Sequence, residues 1–246
     1  YDNKNEVSWN WKANGQGSSN TDGSINTTYT SANTTSGFSI SQYTGTGSGG
    51  ATIGHGLGVK PKVIIIKSTS LARDWVYQQD TSGNGTSDQR LILNSTASNY
   101  NNNFVTFGTS TITLPSSSDN DWSGSGATYI AYCFAEKKGF SKFGSYTGNG
   151  NADGSFIYTG FAPAFVMIKI TSGVDSWFLY DNKRSPFNVR GKYLVADGTG
   201  TDSNADAFDF LSNGFKIRTT ASSFNGSGSS YIYMAFAEEP LVSSNG

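Results

Sequence analysis

Two short apolar runs, Val63-Ile64-Ile65-Ile66 and Phe165-Val166-Met167-Ile168, anchor the pattern of the chain, each with a proline shortly before it and a lysine directly after. Runs this short with such boundaries predict central strands buried on both faces. Around them, Arg73 to Gln78, Arg90 to Asn94, Tyr193 to Ala196 and Phe215 to Thr219 alternate apolar and polar residues, the period of half-buried strands. Asn84-Gly85, Asn213-Gly214 and Asn225-Gly226 supply the residues that turns with positive φ require. No stretch keeps a helical period, and Ala205 to Leu211 reaches at most a single turn. Several short strands per hundred residues, separated by Gly-rich turns, predict packed pairs of sheets.

The pattern repeats. Pro61, Lys67 and Trp75 recur as Pro163, Lys169 and Trp177, each 102 residues later, and Tyr129 to Glu136 matches Tyr231 to Glu238 at the same offset. Gly37-Phe38-Ser39 recurs as Gly139-Phe140-Ser141, and Tyr43-Thr44-Gly45 as Tyr146-Thr147-Gly148 after one inserted residue. The expected fold is all-β: two tandem, homologous antiparallel β-sandwich (jelly-roll-like) units, at residues 37–138 and 139–240. The junction Lys137-Lys138-Gly139 is too short to be a flexible linker, so the units are expected to sit rigidly together. Val7-Ser8-Trp9-Asn10-Trp11 has the spacing of Tyr132-Cys133-Phe134, so residues 1–13 are expected to be the last strand of a preceding, truncated unit. Residues 14–36 read as a Gly/Ser/Thr/Asn-rich connector with a polar edge strand around Ile25 to Ser31, and 241–246 as a tail. Tyr1 is not a natural start and no signal peptide opens the chain, which reads as a processed or truncated piece.

Composition narrows the function classes. Lys plus Arg number 17 against 18 Asp plus Glu, a net charge of -1, which argues against a nucleic-acid binder. Aromatic residues reach 14% while charged residues are also only 14%, so polarity rests on Ser, Thr, Asn and Gly, as in a rigid extracellular-type β protein. The longest apolar stretch, Phe161 to Ile168, contains Pro163 and falls far short of the roughly 20 residues of a membrane span. A single cysteine excludes an internal disulfide framework, leaving packing or association with other chains as the source of stability.

Candidate chemistry is sparse. Any triad would have to use His55, the one histidine, whose counterpart in the second unit is Ile157; a turn histidine bonded locally is the competing assignment. Cys133 stands where the second unit has Ala235, the mark of an inert core thiol, and one Cys with one His cannot form a zinc site of the usual kind. Glu136 and Glu238 are the carboxylates to inspect for glycoside hydrolysis, which needs two acids about 5 to 10 Å apart, although both end equivalent strands of different units. Asn149 to Gly154 and Asp119 to Gly124 echo the opening of a calcium loop but lack its closing Glu, and are expected to be Asx turns. Gly45 to Gly50 is followed by no Gly-Lys-Ser/Thr, so a loop is expected in place of a phosphate cradle. Trp75, Trp177, Trp122 and Phe224 recur between the units and are expected in the core, against the alternative of sugar-stacking platforms. No catalytic, cofactor-binding or metal-binding residue is assigned, no cofactor is expected, and the chain is not expected to be an enzyme.

The segment Ala51 to Lys67, with its Gly54-His55-Gly56-Leu57-Gly58 turn, resembles a recurring element of tail and fibre-like virion proteins of tailed bacteriophages. Tyr129 to Glu136 and the following Gly139 to Gly150 resemble it too, so the likeness spans nearly the whole chain. Similar units are frequent in phages of marine bacteria and cyanobacteria, often downstream of a concanavalin-like lectin domain; the second unit departs from the histidine pattern, reading Ile157-Tyr158-Thr159-Gly160. The resemblance implies a non-enzymatic virion structural protein, most directly a tail fibre or tail-associated host-recognition protein. Alternatives are a head-decoration or collar protein and a carbohydrate-binding, lectin-like module. It further implies other virion proteins as partners, a homo-oligomer (a trimer by analogy), host-surface glycan as ligand, neither nucleic-acid binding nor membrane insertion, and a place on the phage tail or outer particle surface after synthesis in the bacterial host cytoplasm. Specificity is expected in the loops that differ most between units, Thr81 to Gln89 and Lys183 to Arg190, the second carrying a cationic cluster of Lys183, Arg184 and Arg190 suited to anionic sugars or a neighbouring subunit.

Overall fold

The structure, a computed structural model, describes residues 6–116 and 119–238. The tail at 241–246 lies outside them, as do the first five residues.

The two apolar runs become β4 (Val63–Ser68) and β12 (Phe165–Ile170), and each is the hinge of the architecture. In β4, Ile64 and Ile66 enter a core with Tyr43, Trp122 and Tyr129, whereas Val63 and Ile65 face the opposite way. In β12, Val166, Ile168 and Ile170 enter a second core with Tyr180, Phe208 and Phe224, while Phe165 and Met167 face Val63 and Ile65 in a third. Strand side chains alternate between faces, so an unbroken apolar run is what a strand between two cores requires.

The first sheet has the order β1 (Tyr29–Asn33), β2 (Phe38–Thr44), β9 (Thr128–Phe134), β4, β5 (Val76–Gln79), β6 (Gln89–Ile92). Across the first core lies a small sheet of β3 (Thr52–Gly54), β8 (Thr111–Thr113) and β7 (Thr106–Phe107). The second half forms one eight-stranded sheet, β10 (Ser141–Thr147), β17 (Ser230–Phe236), β12, β13 (Phe178–Asp181), β14 (Arg190–Val195), β15 (Ser203–Leu211), β16 (Gly214–Ile217), β11 (Phe156–Tyr158), which curls round the second core. All ladders between these strands are antiparallel. The β-sandwich character expected from the alternation is present, but the second half joins its layers through β14 and β15 where two separate sheets were expected.

Pairings recur with the sequence offset. Tyr43 opposite Tyr129 is matched by Tyr146 opposite Tyr231, and both ring pairs stack, at 5.2 and 4.8 Å. The Tyr43 hydroxyl donates to the Trp122 carbonyl at 2.7 Å, and the Tyr146 hydroxyl to the Phe224 carbonyl at 2.8 Å. These bonds fasten the turns after β8 and β16, the latter containing a short helix, α1 (Ser222–Asn225), to the strands on either side.

The third core lies between the first sheet and the β10–β17–β12–β13 face of the second. Phe134, Phe143 and Phe236 meet edge to face there at 5.5 to 6.2 Å, Phe165 lies tilted against Phe236 at 6.2 Å, and Trp177 abuts Tyr77 at 4.9 Å. Polar bonds cross the same seam: the Trp177 indole donates to the Ile92 carbonyl at 2.9 Å, the Gln79 amide to the Gly144 carbonyl at 3.1 Å, and the Asn99 and Asp175 amides to the Thr171 and Thr96 carbonyls. Lys169, buried at the seam, donates to the Thr96 and Ile170 carbonyls.

Four expectations are corrected. Ala205 to Leu211 lies in β15, not in a helical turn, because Phe208 and Phe210 are drawn into the second core and the backbone pairs with β14 and β16. Residues 7–11 form no strand; Trp9 and Trp11 close the end of the seam, with Trp11 edge-on to Phe134, Phe165 and Phe236. The span 14–36 does carry the expected edge strand, as β1 at Tyr29–Asn33 instead of Ile25 to Ser31, but it is packed and not a mere connector: Ile25 enters the first core, and its amide donates to the Thr52 carbonyl. Of the three Asn-Gly pairs, only Asn84-Gly85 places its glycine at positive φ, 89°. Gly214 serves close approach instead, since a Cβ there would lie 2.1 Å from the Ile157 carbonyl oxygen.

Candidate functional site

An open cleft of about 520 Å³ lies between the arm of residues 6–11 and the ends of β12, β13 and β17. Beyond the contacts of Trp11 at the seam, two contacts hold Trp9 over the cleft. Trp9 meets Phe165 edge-on at 5.3 Å, and the Arg184 guanidinium lies 5.5 Å above the Trp9 ring. Arg184, in the loop after β13, is fixed by β13 and by the loop before β15: its Nε donates to Asp181 Oδ2 at 2.6 Å, Nη1 to Asp202 Oδ1 at 3.1 Å, and Nη2 to the Leu179 carbonyl at 2.9 Å. The rim carries an exposed ion pair of Lys183 and Glu238, which also receives the Asn182 amide. The Lys183 ammonium, through hydrogen bond and charge, holds the Glu238 carboxyl below the usual carboxylate range. Aromatic walls with a paired acid and base at the lip suit the docking of an amphipathic group; Glu238 lines the cleft with Glu6 and with Asp181, whose carboxylate is taken up by Arg184, whereas Glu136 is not among the lining residues.

Glu136 instead pairs with Lys142 at 3.1 Å and accepts the Phe143 amide at 3.0 Å. Because Arg184 and Asp181 are both largely buried, Arg184→Ala should cost about 3 kcal/mol by leaving the Asp181 carboxylate underpaired, and should loosen Trp9 while Trp11 stays packed at the seam. Urea unfolding together with the emission of Trp9 in the intact variant measures both.

The other candidates are absorbed by the fold. His55 is buried; its Nδ1 accepts the Leu57 amide at 3.2 Å, leaving Nε2 protonated 3.3 Å from the Gly108 carbonyl, and burial lowers its pKa. Cys133 is buried in the first core, which pushes its thiol up to about 12. In the Asn149 to Gly154 loop the Asn149 and Asn151 side-chain oxygens accept the Asn151 and Asp153 amides, while Asp153 pairs with Lys216 at 2.7 Å. Asp119 likewise accepts the Asp121 amide. Among the described residues, no group of three or more His, Cys, Asp or Glu side chains could hold a metal ion.

Trp177, Trp122 and Phe224 are core residues, but Trp75 is only half-buried, stacking on Tyr132 at 6.3 Å at the edge of the seam. The Thr81 to Gln89 loop is braced by acids: Asp80 accepts the Gly83 and Gly85 amides, and Asp88 the Thr81 and Ser82 amides. The cationic cluster dissolves on folding. Arg184 is neutralised as described, Arg190 is buried over Phe210 and donates to the Ser185 carbonyl, and Lys183 holds Glu238. The arm and cleft were missed because Trp9 and Arg184 are remote in sequence; the Trp9-Asn10-Trp11 spacing was the available signal.

A family described as "Domain of unknown function (DUF7483)" matches residues 1–240. No curated protein and no solved structure matches the chain.

Proposed function

From the premise that the chain belongs to the DUF7483 family, whose description names no activity, we propose that it is a non-enzymatic structural protein of a bacteriophage particle, a tail fibre or tail-associated host-recognition protein. One observation carries the proposal: the third core, in which aromatic side chains from both halves interlock, makes a rigid spacer out of two flanking cores. The recurring tyrosine pairs and their bonds to the Trp122 and Phe224 carbonyls support descent of both halves from one duplicated unit. The reactive side chains support a passive role, since His55, Cys133 and Glu136 each serve packing or local bonding. In this role the protein associates with other virion proteins and with copies of itself, and offers its clefts and loops to host-surface glycan, where several weak contacts gain by multivalency.

Mass spectrometry of purified particles, followed by antibody labelling in electron micrographs, tests the role. Peptides of this chain in washed particles, with label at the tail, are the expected result. Peptides confined to infected-cell lysate would defeat it, and label on the capsid would make the protein a head-decoration component.

A further inference from the structure

A second cleft, of about 510 Å³, opens beside β14, β15 and α1. Its walls are the rings of Phe178, Tyr193 and Phe224, in contact with one another at 5.2 and 4.6 Å, and Thr201, Ser203 and Ser223 line it with hydroxyls. Within the described residues these three hydroxyls and that of Tyr193 make no hydrogen bond, so all remain able to donate and accept.

The first half shows the same location closed. The register that places Gln78 opposite Arg90 in β5 and β6 places Tyr180 opposite Tyr193 in β13 and β14. Arg90 plugs its own half: its guanidinium lies 5.0 Å from the Trp122 ring and 5.1 Å from Tyr100, bonds Asn102 at 2.9 Å, and pairs with Asp121 at 3.5 Å. At the corresponding positions the second half carries Tyr193, Phe224 and Ser223. The plug and its counter-ion are thus replaced by rings and a neutral hydroxyl, and the space is left open.

Resting on the recognition role proposed above, we infer that this cleft is a saccharide site, taking a neutral pyranose whose apolar face stacks on Tyr193 and whose hydroxyls bond to Thr201, Ser203 and Ser223. Ring walls with uncharged donors and acceptors match a sugar, which is apolar on its faces and hydroxylated at its edge. The Asp175 carboxylate at the lip disfavours a phosphate or sulfate and accepts readily from a sugar hydroxyl.

Saturation-transfer NMR on the full chain, with free glucose, galactose, mannose and N-acetylglucosamine as probes, tests the site. At least one sugar should receive saturation from the wild type, and Ser203→Arg, which restores a plug at an exposed position, should weaken its binding at least about tenfold. Tyr158→Ala, on the outer surface of β11, should leave binding unchanged, and far-UV circular dichroism should show all variants folded. A second plug, Ser223→Arg, serves if Ser203→Arg does not fold. Transfer to none of the four sugars, or transfer that survives a folded plug variant, overturns the site. So does displacement of the sugar by free arginine, which would mark the cleft as a receptor for a cationic side chain. Binding abolished by Trp9→Ala but not by the plug moves recognition to the other cleft, and absence of the chain from particles defeats the virion role while leaving saccharide binding intact.

Discussion

Replacing Trp177 by alanine is expected to destabilise the protein by about 3–5 kcal/mol and to weaken both halves together. The indole is fully buried in the third core, edge-on to Tyr77, and its N–H satisfies the Ile92 carbonyl across the seam. Alanine removes the ring and leaves a cavity between two rigid sheets, and takes from the Ile92 carbonyl one of its two donors, leaving the Ser95 amide. Trp75→Ala, at the equivalent sequence position, should cost less, roughly 1–2 kcal/mol, because that ring is already partly exposed. Urea unfolding followed by far-UV circular dichroism and by tryptophan emission should give one coincident transition for the wild type and for both variants. Two separate transitions in the wild type would mean that the third core does not couple the halves.

Alkaline pH should bring about a collapse of comparable size. Burial raises the pKa of Tyr43, Tyr77, Tyr146 and Tyr180 above the ordinary phenol range. The folded chain keeps these protons after the unfolded chain has begun to release its own near pH 10, so above that pH the unfolded state binds fewer protons and stability falls. Each such tyrosine contributes about 1.4 kcal/mol of loss per pH unit, so four together exhaust a typical 5–15 kcal/mol of stability within about one to three units. Cys133, held at about 12, adds a loss that begins near its unfolded value of about 8.5.

Lys169 opposes this trend. Burial lowers its pKa to about 8, so between there and about 10.4 the unfolded state binds more protons and stability rises with pH. The wild type should therefore show a nearly flat or slightly rising profile from pH 8 to 9 and a steep fall beyond 10. Cys133→Ala, the residue the second half uses as Ala235, should remove the earliest part of the fall. Lys169→Met should remove the rise; at pH 7 the relief of the buried charge is offset by the loss of the ammonium donor to the Thr96 and Ile170 carbonyls, so the flattened pH profile is the readout. Ultraviolet absorbance of tyrosinate should climb together with loss of circular dichroism; tyrosines that titrate near pH 10 in a protein still folded would contradict the burial of their hydroxyls.

Much of the strand content was legible because two signals are local. Unbroken apolar runs with proline and lysine boundaries marked β4 and β12, and alternation marked β5, β6, β14 and β16 to within a few residues. The burial of Trp177 and Trp122, the local bonding of His55 and the core position of Cys133 followed from comparing the two halves of the sequence. Features made by pairing over long distances were not legible. Ala205 to Leu211 becomes a strand only because β14 and β16 flank it, and Ile25 is a core residue only because it lies beside β3. The clefts were hidden for the same reason: Trp9 meets Arg184, and Phe178 meets Phe224, only after folding.

The alternation of β4 and β12 between two cores also constrains how sequences of this kind can diverge. One residue gained or lost inside either strand would turn Ile64 and Ile66, or Val166 and Ile168, through to the opposite side and mismatch both layers at once. Insertions and deletions should therefore accumulate in connecting segments such as 95–104 and 196–202, while these two strands keep their length even where their residues change.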